Sequence, residues 1–357
     1  MRSEVWAALA LAVSGCGDGV GITAEPLQGT SVRCDADNGG ISLPAGFCAV
    51  VVADHVGVAR HMAVSQSGNL YVALDGTGAG GVLALRDRDR DGRADVMVPF
   101  GAPGANGVTL TKEFLYVSYR DRIVRYALEP GELVPAGAPE TIVGDLPFAG
   151  DHFRKNTQLD GAGSMFVNIG SASNSCQVMN RALESPGVDP CPELPVRAGI
   201  WRFDASRAGQ TQADGEHFAT GFRNVEALRW DRGRGALFGL QHGRDMLNDN
   251  WPALYTTQQG ADLPSEELAR IDRGDDNGWP YCYHDWQQGL KVLAPEYGGD
   301  GHVVGRCAGK EQPLLTFPGH WAPNDLLFYG GKQFPVRFQG GASGSFQEEA
   351  AAFRRSR

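Results

Sequence analysis

Along most of the chain, apolar residues come in short runs broken by Gly, Asp, Ser or Asn rather than at helical spacing. The run 59–64 passes through Ser67-Gly68-Asn69 into 70–74, which reads Leu-Tyr-Val-Ala-Leu. β-Branched and aromatic residues bounded by turn formers predict strand, turn, strand. The unit returns at 106–110 into 114–118, then at 155–159 through Asp160-Gly161 into 164–169. It returns again at 225–230 into 236–238, and more faintly at 324–329. Further strands are predicted at 81–85 and 122–126. The first three copies lie about 46 residues apart, near the length of a four-stranded propeller blade. One blade cannot bury both faces alone, so the repetition predicts an all-β propeller over 34–342 rather than a one-sided sandwich. The stretch 343–357 carries no alternation and is predicted to be an atypical tail.

Composition agrees with many short strands: 49 Gly and 20 Pro in 357 residues describe a globular, turn-rich chain. The charge balance of 32 basic against 42 acidic residues gives −10, with no Lys/Arg run, which argues against nucleic acid as a partner. At the N-terminus, Arg2 precedes an apolar stretch over 5–13 and then Val13-Ser14-Gly15-Cys16. That is a secretory signal over 1–16, too short to span a bilayer. Its ending resembles a bacterial lipobox, so Cys16 is expected to carry the lipid, 17–33 to be a flexible tether, and the protein to face the periplasm or the outside. The acyl chain would be its sole membrane attachment. The six other cysteines form an even set that predicts disulfides in an exported chain. Fifteen pairings exist, and the closeness of sequence neighbours predicts Cys34 with Cys48, Cys176 with Cys191, and Cys282 with Cys307.

Candidate chemistry gathers between 220 and 283. Gly221-Phe222-Arg223-Asn224 leads into a strand, and Gln241-His242-Gly243-Arg244-Asp245 follows the next one. These two polar loops should meet at one end of a sheet. Asp276-Asn277-Gly278-Trp279-Pro280-Tyr281-Cys282-Tyr283 closes the region. Together these motifs resemble the soluble PQQ-dependent sugar dehydrogenases, and more closely their sorbosone-dehydrogenase-like relatives, over 35–341. The resemblance implies a six-bladed β-propeller holding pyrroloquinoline quinone and calcium. It also implies oxidation of a sugar, aldose or sorbosone-like, by hydride transfer to the quinone, with electrons leaving to a respiratory acceptor. His152, in Asp151-His152, would be the general base, a task suited to a group that titrates near working pH. Arg223 would place a fixed cation beside the quinone oxygen, and Asn224 would hold the cofactor. The backbone carbonyls of Gly243 and Arg244 would face the cofactor's calcium, and Glu266-Glu267 would match the acidic pair of a structural calcium site. Asn106 takes the same repeat position in the second copy and would line the same face. The chain departs from the family in two places. The Gly-Arg-Leu run after the base is replaced by Phe153-Arg154-Lys155-Asn156-Thr157, and the segment past Gly341 lacks the family's closing blade, which implies an incomplete last blade.

The residues alone leave plainer readings open. A lone histidine is commonly a packing or surface residue, Arg223 could be a surface ion pair, and adjacent glutamates are often simply solvated. Carboxylates at Asp87, Asp89, Asp91 and Asp95 around Asp91-Gly92 resemble the start of a calcium loop. The glutamate such a loop needs at its twelfth position is Val98, so a charged hairpin tip is expected instead. No Gly-x-Ser-x-Gly, His-Glu-x-x-His or P-loop motif occurs, and no dinucleotide-type Gly-rich turn opens a helix, which removes the commonest hydrolase, zincin and nucleotide routes. Two rivals stay open: a non-catalytic envelope propeller binding saccharide or protein, and a calcium-dependent lactonase.

Overall fold

The computed structural model of the protein describes residues 9–10, 32–78 and 80–346. Apart from Leu9–Ala10, the expected signal segment, including Cys16, lies outside the described residues, as does the tether up to residue 31. Strand β1 (Leu9–Ala10) pairs antiparallel with β2 (Val50–Val51). Thereafter the predicted repeats become antiparallel sheets. In the first sheet, β3 (Ala59–Val64), β4 (Leu70–Leu74), β5 (Val82–Arg86) and β6 (Val96–Phe100) pair in chain order. Gly68 closes its first hairpin at φ +86°, a conformation that favours glycine, and the Ser65 hydroxyl accepts the Asn69 N–H. The inner strand β4 is buried over Leu70–Ala73, whereas β6 alternates, as an outer strand with one wet face should.

The second sheet contains β7 (Gly107–Leu110), β8 (Phe114–Ser118), β9 (Ile123–Ala127) and β10 (Glu140–Val143). The third contains β11 (Thr157–Leu159), β12 (Ser164–Ile169), β13 (Gly199–Asp204) and β14 (Glu216–Thr220). The fourth runs β15 (Ala227–Asp231), β16 (Ala236–Gln241), β17 (Glu266–Ile271), then, past the inserted hairpin β18 (Cys282–Asp285) and β19 (Leu290–Leu293), β20 (Leu315–Phe317). A ribbon of β21 (Pro323–Phe328) and β22 (Ala342–Phe346) follows.

The chain divides into two compact units. The first holds the described residues up to Val117 with Arg125–Pro139 and Gly330–Gln339; the second holds Ser118–Val124, Glu140–Tyr329 and the described residues from Gly340. The first unit's core is Val56, Leu70, Val72, Leu83 and Leu85. Within the second, Phe166 and Ile200 of the third sheet pack on Leu228, Leu237 and Ile271 of the fourth, with the Trp230 ring stacked on Phe166 at 5.6 Å. The fourth sheet in turn packs Phe238 and Leu240 on Leu326, Phe328 and Phe346 of the ribbon. With the third sheet, the fourth sheet and the ribbon meeting face to face, this is an all-β, propeller-like fold, with four four-stranded sheets among the described residues.

The stretch expected as an atypical tail begins in a strand: Ser343–Phe346 belongs to β22, paired with Leu327–Pro323 of β21. Pairing needs only extended backbone, which Ala, Ser and Gly supply without hydrophobic alternation, and Phe346 alone anchors the strand against Phe317 and Trp321. All three expected disulfides are formed. No helix among the described residues is long and apolar enough to cross a membrane.

Candidate active site

Antiparallel pairing decides which loops share an end. Thr157 of β11 faces Val167 of β12, so the chain before 157 and the chain after 169 emerge side by side. Ala227 of β15 faces Leu240 of β16, which likewise brings 223–226 beside 241–245. Backbone bonds stitch these four loops together: His152 N–H donates to Ser171 O (3.2 Å), Ser171 N–H to Arg223 O (2.8 Å), and His242 N–H to Asn224 O (2.9 Å). Gly170 is required for the approach. A Cβ there would lie 2.6 Å from the His152 Cβ and 2.8 Å from Asn224 Oδ1, so any side chain would push the candidate base and amide apart.

His152 is held in one chemical form. Its Nδ1 lies 2.9 Å from Ser171 Oγ and 3.1 Å from Ser171 O. The single hydroxyl hydrogen of Ser171 is committed to Ser173 O at 2.7 Å, so toward the histidine both oxygens accept. Nδ1 therefore carries the hydrogen. Burial holds the imidazole well below its ordinary pKa, with repulsion from Arg223 and His242 adding to this and Asp245 opposing it. Nε2 is left as a lone pair.

Arg223 is 3% exposed, which removes the surface ion-pair reading. Its guanidinium donates from Nε to Asn174 O (3.1 Å), from Nη1 to Gly243 O (2.7 Å), and from Nη2 to Asn174 Oδ1 and Asp245 Oδ2 (both 2.8 Å). Asp245 also receives Arg181 Nη2 at 3.0 Å. Burial alone would raise the Asp245 carboxyl, but Arg223, His320 and Arg181 hold it well below its ordinary range. Trp279 Nε1 shares the Asn174 carbonyl at 2.9 Å, which explains a structural use for the Gly-Trp-Pro motif. Asn224 Oδ1 accepts from Asn168 at 3.0 Å.

The two carboxylates of the acidic pair meet different partners. Successive residues of a strand point to opposite faces, and Glu266 and Glu267 are neighbours in β17. Glu266 accepts the N–H groups of Gly243 (2.8 Å) and Ala322 (3.3 Å). Glu267 instead meets Gln241 (3.0 Å) and the ammonium of Lys291 (3.0 Å). Both are 3% exposed, so the solvated reading fails. Arg244 turns its side chain inward to an ion pair with Glu296, which also accepts from Trp251 at 3.1 Å. A cavity of about 20 Å³, room for one water, lies among Arg223, Gln241, Arg244 and Glu267. Asn106 belongs to the first unit, where its carbonyl accepts from His61 and its Oδ1 from Arg60 at 3.2 Å. The turn at 87–95 joins β5 to β6: Asp87 caps Arg90 N and Gly92 N, and Asp95 caps Arg88 N, with the carboxylates of Asp87, Asp89 and Asp95 close together.

Sequence reasoning missed Ser171, Asn174, Arg181 and Glu296, and quoted Asp245 without giving it a role. Their partners lie up to 121 positions away, and nothing local marks them.

The TrAA12-like family model matches residues 41–349. Among solved structures, the fold is similar to the calcium structure of the Trichoderma reesei carbohydrate-active enzyme of family AA12: TM-score 0.64, 18% identity, 78% of this chain and 72% of that one. The holo pyranose dehydrogenase PQQ domain from Coprinopsis cinerea gives TM-score 0.64 at 19% identity, over 79% and 70%. The apo soluble aldose sugar dehydrogenase from Escherichia coli gives 0.55 at 17%, over 82% and 81%. No curated protein matches.

Proposed function

From the premise that the chain belongs to the TrAA12-like family, we propose that it is a quinoprotein dehydrogenase that oxidises a sugar with pyrroloquinoline quinone and calcium. The observation that carries this is the His152 imidazole, neutral, with Nδ1–H fixed on Ser171 and the Nε2 lone pair uncommitted, beside the buried Arg223 cation. The donor set fits an oxygen-rich ring: Arg223 and Arg181 bring positive charge and Asn224 an amide, while the Gly243 carbonyl, of the kind a hard cation accepts, takes Arg223 Nη1 here. When bound, the quinone supplies a two-electron acceptor and calcium a Lewis acid. His152 Nε2 then takes the proton of the sugar hydroxyl as the C–H electron pair leaves. Arg223, fixed by its hydrogen bonds, meets developing negative charge without reorganising. Ser171 keeps the imidazole in the tautomer that makes Nε2 the base.

The six-blade count remains part of this reading, supported by four full sheets and a ribbon. So does export with a lipid anchor on Cys16 and electron delivery to a respiratory acceptor, supported by the N-terminal pattern and the three disulfides. The test is an absorbance titration of the apoprotein with pyrroloquinoline quinone and calcium, followed by dye-linked oxidation of an aldose panel. The expected result is a cofactor-dependent spectral change and dye reduction. No spectral change at micromolar cofactor would leave a non-catalytic binding propeller in its place.

A further inference from the structure

Beside the base lies a cavity that the oxidation chemistry does not use. It measures about 400 Å³, a size within the range of small-molecule sites. Its wall is the loop 145–149 with Asp121 and Arg197. Arg197 is 8% exposed, and its Nη1 has no hydrogen-bond partner among the described residues. Such a buried donor needs an acceptor from elsewhere. Burial lowers the guanidinium's pKa, and the charge of Glu193 only partly opposes this. Phe148, at the rim, is 45% exposed, with the Arg120 guanidinium 4.9 Å from its ring centroid. With nearly half of Phe148 exposed, ring surface is left for a ligand to stack on. The carboxylates of Asp121 and Asp145 add acceptors and would repel an anion. The loop is held at its base by Leu146, whose N–H donates to Asp121 O at 2.9 Å. From Ala149 only Gly150 and Asp151 intervene before His152, so the cavity lies within about 11 Å of chain from the base.

We propose that this cavity is a subsite for an uncharged sugar ring, stacked on Phe148, with its hydroxyl oxygens accepting from Arg197 and its hydroxyl hydrogens donated to Asp145 and Asp121. The substrate class is then a neutral oligosaccharide oxidised at one end, rather than a free monosaccharide. This deepens the sugar-oxidation reading and rests on it, but the subsite binds without cofactor, so the two can fail separately.

The test is isothermal titration of cofactor-free protein with glucose, cellotriose, maltotriose, xylotriose and tri-galacturonate, for the wild type and for Phe148→Ala and Arg197→Gln. At least one neutral trisaccharide should bind about tenfold or more tightly than glucose, and each substitution should remove about tenfold of that affinity, the size of a lost charge-assisted bond or stacked ring. Phe148 is exposed, so its variant should keep the wild-type Tm. Equal affinity for glucose and every trisaccharide, preference for tri-galacturonate, or binding untouched by Phe148→Ala would each overturn the proposal. Trisaccharide binding that persists in a protein inert to pyrroloquinoline quinone would keep the subsite and remove the redox reading.

Discussion

Two regions of the molecule are rich in Asp and Arg, and they use them in opposite ways. In the turn 87–95 of the first unit, the carboxylates of Asp87, Asp91 and Asp95 accept from backbone N–H groups two to seven positions away, and the arginines mostly face water. In the second unit, Asp245, Glu267 and Glu296 meet Arg223, Lys291 and Arg244, partners 22 to 52 positions distant; the last two pairs are buried on both sides, and Arg223 is buried while Asp245 is 35% exposed. An exposed charge can be exchanged at little cost, whereas a buried one is bound to its counter-charge. The contrast teaches that charge density in a sequence says little until burial is known.

The sharpest way to break the comparison is at the base itself. His152→Ala should lower dye-linked sugar oxidation of the cofactor-loaded protein by about 10²- to 10⁴-fold while Tm stays near wild type; unchanged turnover would sink the assignment. Next, Glu296→Ala strands the Arg244 cation and should reduce unfolding free energy by about 3–5 kcal/mol in denaturant titration. A loss near zero would place that pair with the exposed ones. Lys155 offers a smaller effect with a sign. It is fully buried, and burial, aided by Arg197, lowers its pKa to about 7. Between pH 7 and about 10.4 the unfolded chain holds the extra proton, so stability contributed by this group rises with pH across that window. Lys155→Met should therefore gain most over wild type at or below pH 7 and lose that advantage by pH 10, as thermal melts at several pH values would record.

A subtler test concerns the His152 titration. Its lowered pKa keeps Nε2 available below the ordinary histidine range, so the acid limb of kcat/KM should fall at lower pH than a free imidazole would give. Arg223→Gln removes a repulsive charge and should move that limb upward, with the ring's NMR titration as an independent readout. No movement would show that the guanidinium does not act on the base. Asp91→Asn, at the exposed turn, should leave Tm and turnover unchanged.

The strands were legible because alternation and turn residues are local, and the disulfides because their partners lie 14 to 25 positions apart. His152, Arg223, Asn224 and Gly243 were legible through motif resemblance, and hairpin geometry brings them together. For Glu266 and Glu267, strand parity alone sends the adjacent side chains to opposite faces of β17. Ser171, Asn174 and Glu296 were not legible: a serine, an asparagine and a glutamate in irregular stretches carry no periodic signal, and their roles exist only once distant loops converge. Ser343–Phe346 escaped for a different reason, because an edge strand of small residues owes its form to its neighbour.

Trp279 ties a disulfide to the site. The indole that shares the Asn174 carbonyl with Arg223 packs against the Cys176–Cys191 bridge. Sulfur chemistry thereby reaches the guanidinium without touching it, and thiol reagents become a dial on the orientation of the site: a preparation matured without oxidant should carry its sheets but turn over slowly, and recover as the bridge closes.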